Sequence, residues 1–191
     1  MIADDLRKSN IAEYLLHMWQ MESLVRAYNR DIDRIDADII SKMPEQERAA
    51  ARDWFENIIK MMELENVRDS GHLQINKNVI IRLADLHQEL LKSPKFPEYG
   101  AEFYKTLPFI VELRAKSGED KSGEIETCFN ALYGTMLLRL QHREVSEGTQ
   151  QAVKQIARFL SMLARFYKRN EERPIFDDDT DDDDDERSKL S

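Results

Sequence analysis

The chain has 191 residues, 41% of them hydrophobic and 34% charged, with a formal net charge of −9. A chain of this length buries about two-thirds of its unfolded surface and needs neither disulfide nor metal to fold, and its single cysteine, Cys128, excludes an internal disulfide framework or a multi-cysteine zinc site. Short apolar runs exclude a transmembrane helix, and the polar opening MIADDLRKSN lacks a signal-peptide core, so a cytoplasmic location is expected.

From Met1 to Met43 there is neither glycine nor proline, and Ile11, Tyr14, Met18, Met21, Val25, Tyr28, Ile32, Ile35 and Ile39 recur at alternating spacings of three and four. A mean spacing of 3.5 keeps apolar side chains on one stripe, which predicts one long N-terminal helix of about 30 residues and about 45 Å. Asn10 and Glu13 have capping-box spacing and mark its start. Leu15, Leu16, Trp19 and Leu24 make its first half apolar on most faces. Beyond Asn29 only the seam is apolar, so the second half is expected to project or to lie at an edge.

Pro44 suits the first position of a second helix, with Glu45 and Glu47 at its positive end, a stripe of Ala51, Phe55, Ile58 and Met62, and a stop at Ser70–Gly71. The short link implies an antiparallel hairpin with the first helix. A third helix carries Val79, Leu83, Leu86 and Leu90 and stops near Ser93–Pro94. Pro97 and Pro108 read as starts of two short helices that end near Thr106 and Lys116, and a polar loop follows to Gly123. Ile125, Phe129, Leu132, Met136 and Leu140 mark the next helix, and Ile156, Leu160, Leu163 and Tyr167 the last, which Pro174 stops.

No useful stretch alternates with period two, so the expected class is all-α. The architecture is a single irregular antiparallel bundle of about six to seven helices over residues 1–173. From Asp177 to Glu186 nine of ten residues are acidic, so residues 177–191 carry −7 and the rest only −2. Such a run repels itself and buries nothing, and residues 174–191 are expected to form a disordered acidic tail.

The opening MIADDLRKSNIAEYLLHMWQMESLVRAY, above all IAEYLLHMWQMESLVRA, resembles the start of a bacterial family catalogued only as an uncharacterised domain of unknown function. The family is about as long as this chain. The resemblance extends over the body and implies a small cytoplasmic helical protein. It implies no activity, substrate or catalytic residue.

Motifs for chemistry are sparse. His17, His72, His87 and His142 are far apart, there is no HExxH, and only Glu13 and His17 are one turn from each other, where an i,i+4 hydrogen bond is the ordinary reading. Cys128 has no base beside it and reads as a packed thiol. The six glycines form no phosphate-cradling motif, so no cofactor, metal or catalytic residue is expected. Gly134 within a helix costs about 1 kcal/mol relative to alanine, which points to close approach of a neighbouring helix or a bound group.

Two constellations remain. Trp19 and Trp54, with Tyr14 and Tyr28, could line a pocket between the first two helices, although aromatics at seam positions are ordinarily core. Lys154, Arg158, Arg165 and Arg169 follow at spacings of 4, 7 and 4, opposite the last helix's apolar stripe, which suits either phosphates or a solvated face. The leading functional expectation is a non-catalytic interaction or regulatory protein, with the first helix engaging a protein partner or a second copy and no membrane involved. The alternatives are a nucleic-acid-binding protein autoinhibited by its acidic tail, and a small-ligand binder or enzyme around Trp19 and Trp54.

Overall fold

The apolar stripes become α-helices in the computed structural model, which describes residues 2–116 and 122–176. They are α1 (Ile2–Ser9), α2 (Ile11–Ala27), α3 (Ile32–Asp38), α4 (Glu45–Leu64), α5 (Gln74–Lys92), α6 (Pro97–Lys116), α7 (Glu124–Leu140) and α8 (Glu147–Glu172). The described residues contain no strand, and the fold is all-α. Of residues 174–191, expected to form a disordered tail, residues 177–191 lie outside the described residues. Ile175 N–H donates to Asn170 Oδ1 at 3.1 Å and the Phe176 ring packs 5.8 Å from that of Phe96, which corrects the expectation at residues 174–176.

Asn10 caps α2 as its spacing predicts: its side-chain oxygen accepts from the backbone N–H of Ala12 at 3.1 Å and of Glu13 at 3.3 Å. The helix then ends a dozen residues earlier than its seam. Asn29 and Arg30 have φ of 55° and 63°, Asn29 N–H bonds Arg26 O at 2.9 Å, and Arg30 N–H bonds Val25 O at 2.8 Å. This left-handed Schellman stop satisfies the last carbonyls, and asparagine tolerates it better than most residues. Asp31 caps α3, accepting from Asp33 and Arg34 N–H, both at 3.1 Å. The expectation of one long N-terminal helix is therefore corrected, and of the two placements expected for its second half, projecting or lying at an edge, projection is excluded. Ile35 and Ile40 are buried, and Arg52 of α4 binds Asp33 at 2.9 Å and also Asp36, so α3 is folded back onto α4.

Two further boundaries differ from the sequence reading. α4 stops at Leu64 rather than at Ser70–Gly71, because Asn66 (φ 57°) makes a second Schellman stop in which Val67 N–H bonds Met62 O at 3.0 Å. α6 runs unbroken through Pro108, where two short helices were expected. Proline inside a helix costs about 3 kcal/mol. Here Pro108 and Tyr104, whose carbonyl loses its partner, both face solvent, and burial of Tyr99 and Phe103 before the proline and Ile110 after it outweighs the loss.

α8 packs against α2, α5, α6 and α7 through Ile156, Phe159, Leu160 and Leu163, all buried. Together with Trp19, Tyr99 and Phe129 these side chains form one continuous core. Gly134 meets no atom within 4 Å of the position a Cβ would take, which corrects the close approach inferred from its sequence.

Candidate functional site

Glu22 is a lone acid in the most apolar stretch of α2, one helical turn beyond Trp19, and the fold buries it completely. A buried carboxylate is tolerated only when its oxygens are paired. Its Oε1 accepts from Leu73 N–H at 2.9 Å and from Asn76 Nδ2 at 2.7 Å, and its Oε2 lies 2.6 Å from Nδ1 of His72. His72 and Leu73 come from the segment that leads into α5, and Asn76 from its first turn. That segment is held in place by Arg26, which donates to Val67 O at 3.1 Å and to Gly71 O, and by the left-handed turn at Gly71 (φ 83°) that only glycine adopts without strain.

A carboxylate can only accept, so His72 Nδ1 carries the hydrogen and, in the neutral ring, Nε2 becomes the acceptor. The imidazole stacks on Trp19 with centroids 4.0 Å apart and planes 12° from parallel. Trp19 is itself wedged by Phe129 and by Tyr133, whose hydroxyl donates to the Trp19 carbonyl at 3.0 Å. The Glu22 hydrogen bond thus sets the tautomer of His72, and the stack on Trp19 its ring plane. The ring is a quarter exposed and lines, with Trp19, Gly71, Lys77, Ile80, Ile81 and Glu126, a cleft of about 290 Å³. Ile80 and Ile81 give it an apolar wall, Lys77 and Glu126 a charge of each sign.

Of the expected pocket residues, Trp19 lines this cleft and Trp54 does not. Trp54 lies half-buried on α4 with its ring against Phe55 at 5.1 Å, so the pocket expected between the first two helices is replaced by one between α2, α5 and α7. The sequence reading does not single out Glu22, Lys77 or Glu126, and it names His72 only as one of four scattered histidines. The legible signal was Glu22, a charge where the helix is otherwise apolar; His72, 50 residues away, carries none by itself.

The basic stripe of α8 is present and exposed, but its members do different things. Arg158 Nε pairs with the buried Glu102 at 2.9 Å, where Gln155 Nε2 also donates at 2.9 Å. Arg169 lies 5.4 Å above the Phe166 ring, Lys154 lines a shallow cleft with Arg139 and Glu147, and Arg165 is exposed. Glu13 and His17 share no hydrogen bond among the described residues, and no cluster there of three or more metal-ligating side chains could hold an ion.

A second histidine is wholly internal. His87 sits among Tyr99, Phe103 and Phe159, with Nδ1 2.7 Å from the Tyr99 hydroxyl and Nε2 3.5 Å from Glu124. Burial lowers its pKa, partly opposed by the Glu124 charge, and burial likewise pushes the neighbouring Cys128 thiol up to about 12. The rings of His87, Tyr99, Phe103 and Phe159 pack against one another in this cluster.

No curated protein and no solved structure matches the chain. No helix among the described residues is long and apolar enough to cross a membrane. The expected family is the one found: residues 1–173 match the family described as Domain of unknown function (DUF4924), and the chain belongs to it.

Proposed function

We propose that the protein binds a small molecule in the cleft beside His72. The observation that carries this reading is the buried Glu22 carboxylate fixing His72 Nδ1 at 2.6 Å, which presents the other ring nitrogen beside an open, partly apolar cleft. Orienting a histidine through a buried acid is how proteins prepare an imidazole to accept a hydrogen bond or a proton. The ligand would carry an apolar body against Ile80 and Ile81 and a donor for Nε2.

The test is a thermal-shift panel of small metabolites on the full chain and on His72→Gln. A ligand at 100 times its Kd stabilises by about 2.7 kcal/mol, about 5–10 °C for a domain of this size. A compound that shifts the parent and not the variant supports the reading. A silent panel, or hits that shift both equally, counts against it.

The interaction reading has a separate support. Tyr104, Pro108 and Val111 lie at i, i+4 and i+7 on α6 and are exposed, Tyr104 by 66% and Val111 by 58%. A second copy or a protein partner would cover them. Sedimentation showing an oligomer that Tyr104→Ser and Val111→Ser dissociate would favour this face over the expected projecting helix. A cytoplasmic setting suits both readings. The nucleic-acid reading draws less support, because Arg158 is neutralised by Glu102 and the body carries −2.

A further inference from the structure

A second cleft, of about 560 Å³, opens between α1, α5 and the C-terminal end of α8, away from His72. Asp4, Arg7 and Lys8 of α1, Arg82 of α5, and Tyr167, Lys168, Glu171 and Glu172 of α8 line it. Lys168 is paired to Glu172 at 3.9 Å. Arg7 and Arg82 have no carboxylate partner among the described residues; the Arg7 guanidinium rests 5.9 Å above the Tyr14 ring. Arg7 and Arg82 thus line one cleft from two different helices, with Tyr167 of a third on its wall.

Two unpaired guanidinium groups held apart by separate elements, with a phenol hydroxyl beside them, match a dianion with several terminal oxygens better than a planar carboxylate. The volume is far larger than an inorganic ion needs and falls in the range of small-molecule sites, about 300–1,000 Å³. The chain's charge of −9 gives anions no general attraction, so any anion that binds must do so by local contacts. We infer that this cleft binds a small phosphorylated molecule, its phosphate held by Arg7 and Arg82 and its remainder lying along Tyr167. This site is independent of the one beside His72.

The test is calorimetry and a proton–nitrogen NMR titration of the full chain at physiological salt, with pyrophosphate as the probe and acetate as the carboxylate control. The expected result is one pyrophosphate per chain, with shifts centred on Arg7, Arg82 and Tyr167. Affinity should be at least about tenfold weaker in Arg7→Gln and in Arg82→Gln. Both arginines are exposed, so unchanged resonances elsewhere verify that the variants fold, and Lys154→Gln, about four turns (roughly 20 Å) before Lys168 along α8, should bind as the parent does. Absence of binding, acetate binding as tightly as pyrophosphate, shifts centred on His72 or on Lys154, or retention of affinity in Arg82→Gln would each overturn the inference.

Discussion

Replacing Glu22 by alanine leaves the Leu73 N–H and the Asn76 amide without acceptors in a fully buried site and removes the anchor of His72 Nδ1. An unsatisfied buried donor costs about 1–3 kcal/mol. With the lost packing of the side chain, Glu22→Ala is expected to destabilise by about 3–5 kcal/mol, a fall in Tm of about 6–20 °C for a domain of this size. Glu22→Gln is the informative partner. Its carbonyl oxygen can replace Oε1 for Leu73 and Asn76, which turns its amide toward His72, and the imidazole can answer by accepting at Nδ1 and moving its hydrogen to Nε2. The loss is then one charge-assisted bond exchanged for a neutral one, about 1–2 kcal/mol. Urea and thermal unfolding followed by circular dichroism measure both stabilities, and nitrogen-15 imidazole shifts report the tautomer. If Glu22→Ala costs less than about 1 kcal/mol, or if Glu22→Gln costs as much as alanine and leaves the His72 tautomer unchanged, the buried carboxylate does not organise the site as argued.

Gly134→Ala should raise stability by about 0.5–1 kcal/mol, since the added methyl meets open space inside α7; a destabilised variant would mean a neighbour closer than the 4 Å seen. Cys128, with its thiol pushed up to about 12 and no exposed surface, should resist alkylation at neutral pH until the chain unfolds, and rapid labelling of the folded protein would contradict that burial. Asp31→Ala removes the cap of α3 and should cost about 1 kcal/mol in urea unfolding; no change would show that the side chain is not satisfying Asp33 and Arg34 N–H. Burial lowers the His87 pKa below 6.5, so the unfolded chain takes up that proton first as pH falls. Stability is therefore full above pH 6.5 and declines below it, at most about 1.4 kcal/mol per pH unit for one proton. His17, also lowered by burial, adds a slope of the same sign, so His87→Gln should flatten the decline only in part, and an unchanged slope would exclude His87 as a source.

Local periodicity was enough to establish the class. A stripe at spacings of three and four, with prolines and glycines gathered between stripes, reports which side of a segment is apolar, and α5 and α8 follow it from end to end. The same stripe could not say whether the segment from Ile11 to Ile39 was one rod or two. That depended on whether Asn29 adopts a left-handed turn, which folding α3 back onto α4 rewards, just as the continuity of α6 depended on burial on both sides of Pro108. The cleft beside His72 lay further out of reach, because the three helices that build it are far apart in the chain, Glu22 and His72 being 50 positions apart. A charge in an apolar stretch announces that a partner must exist, since the penalty for burying it alone is large. Only the packing of α2 against the entry to α5 decides which residue that partner is.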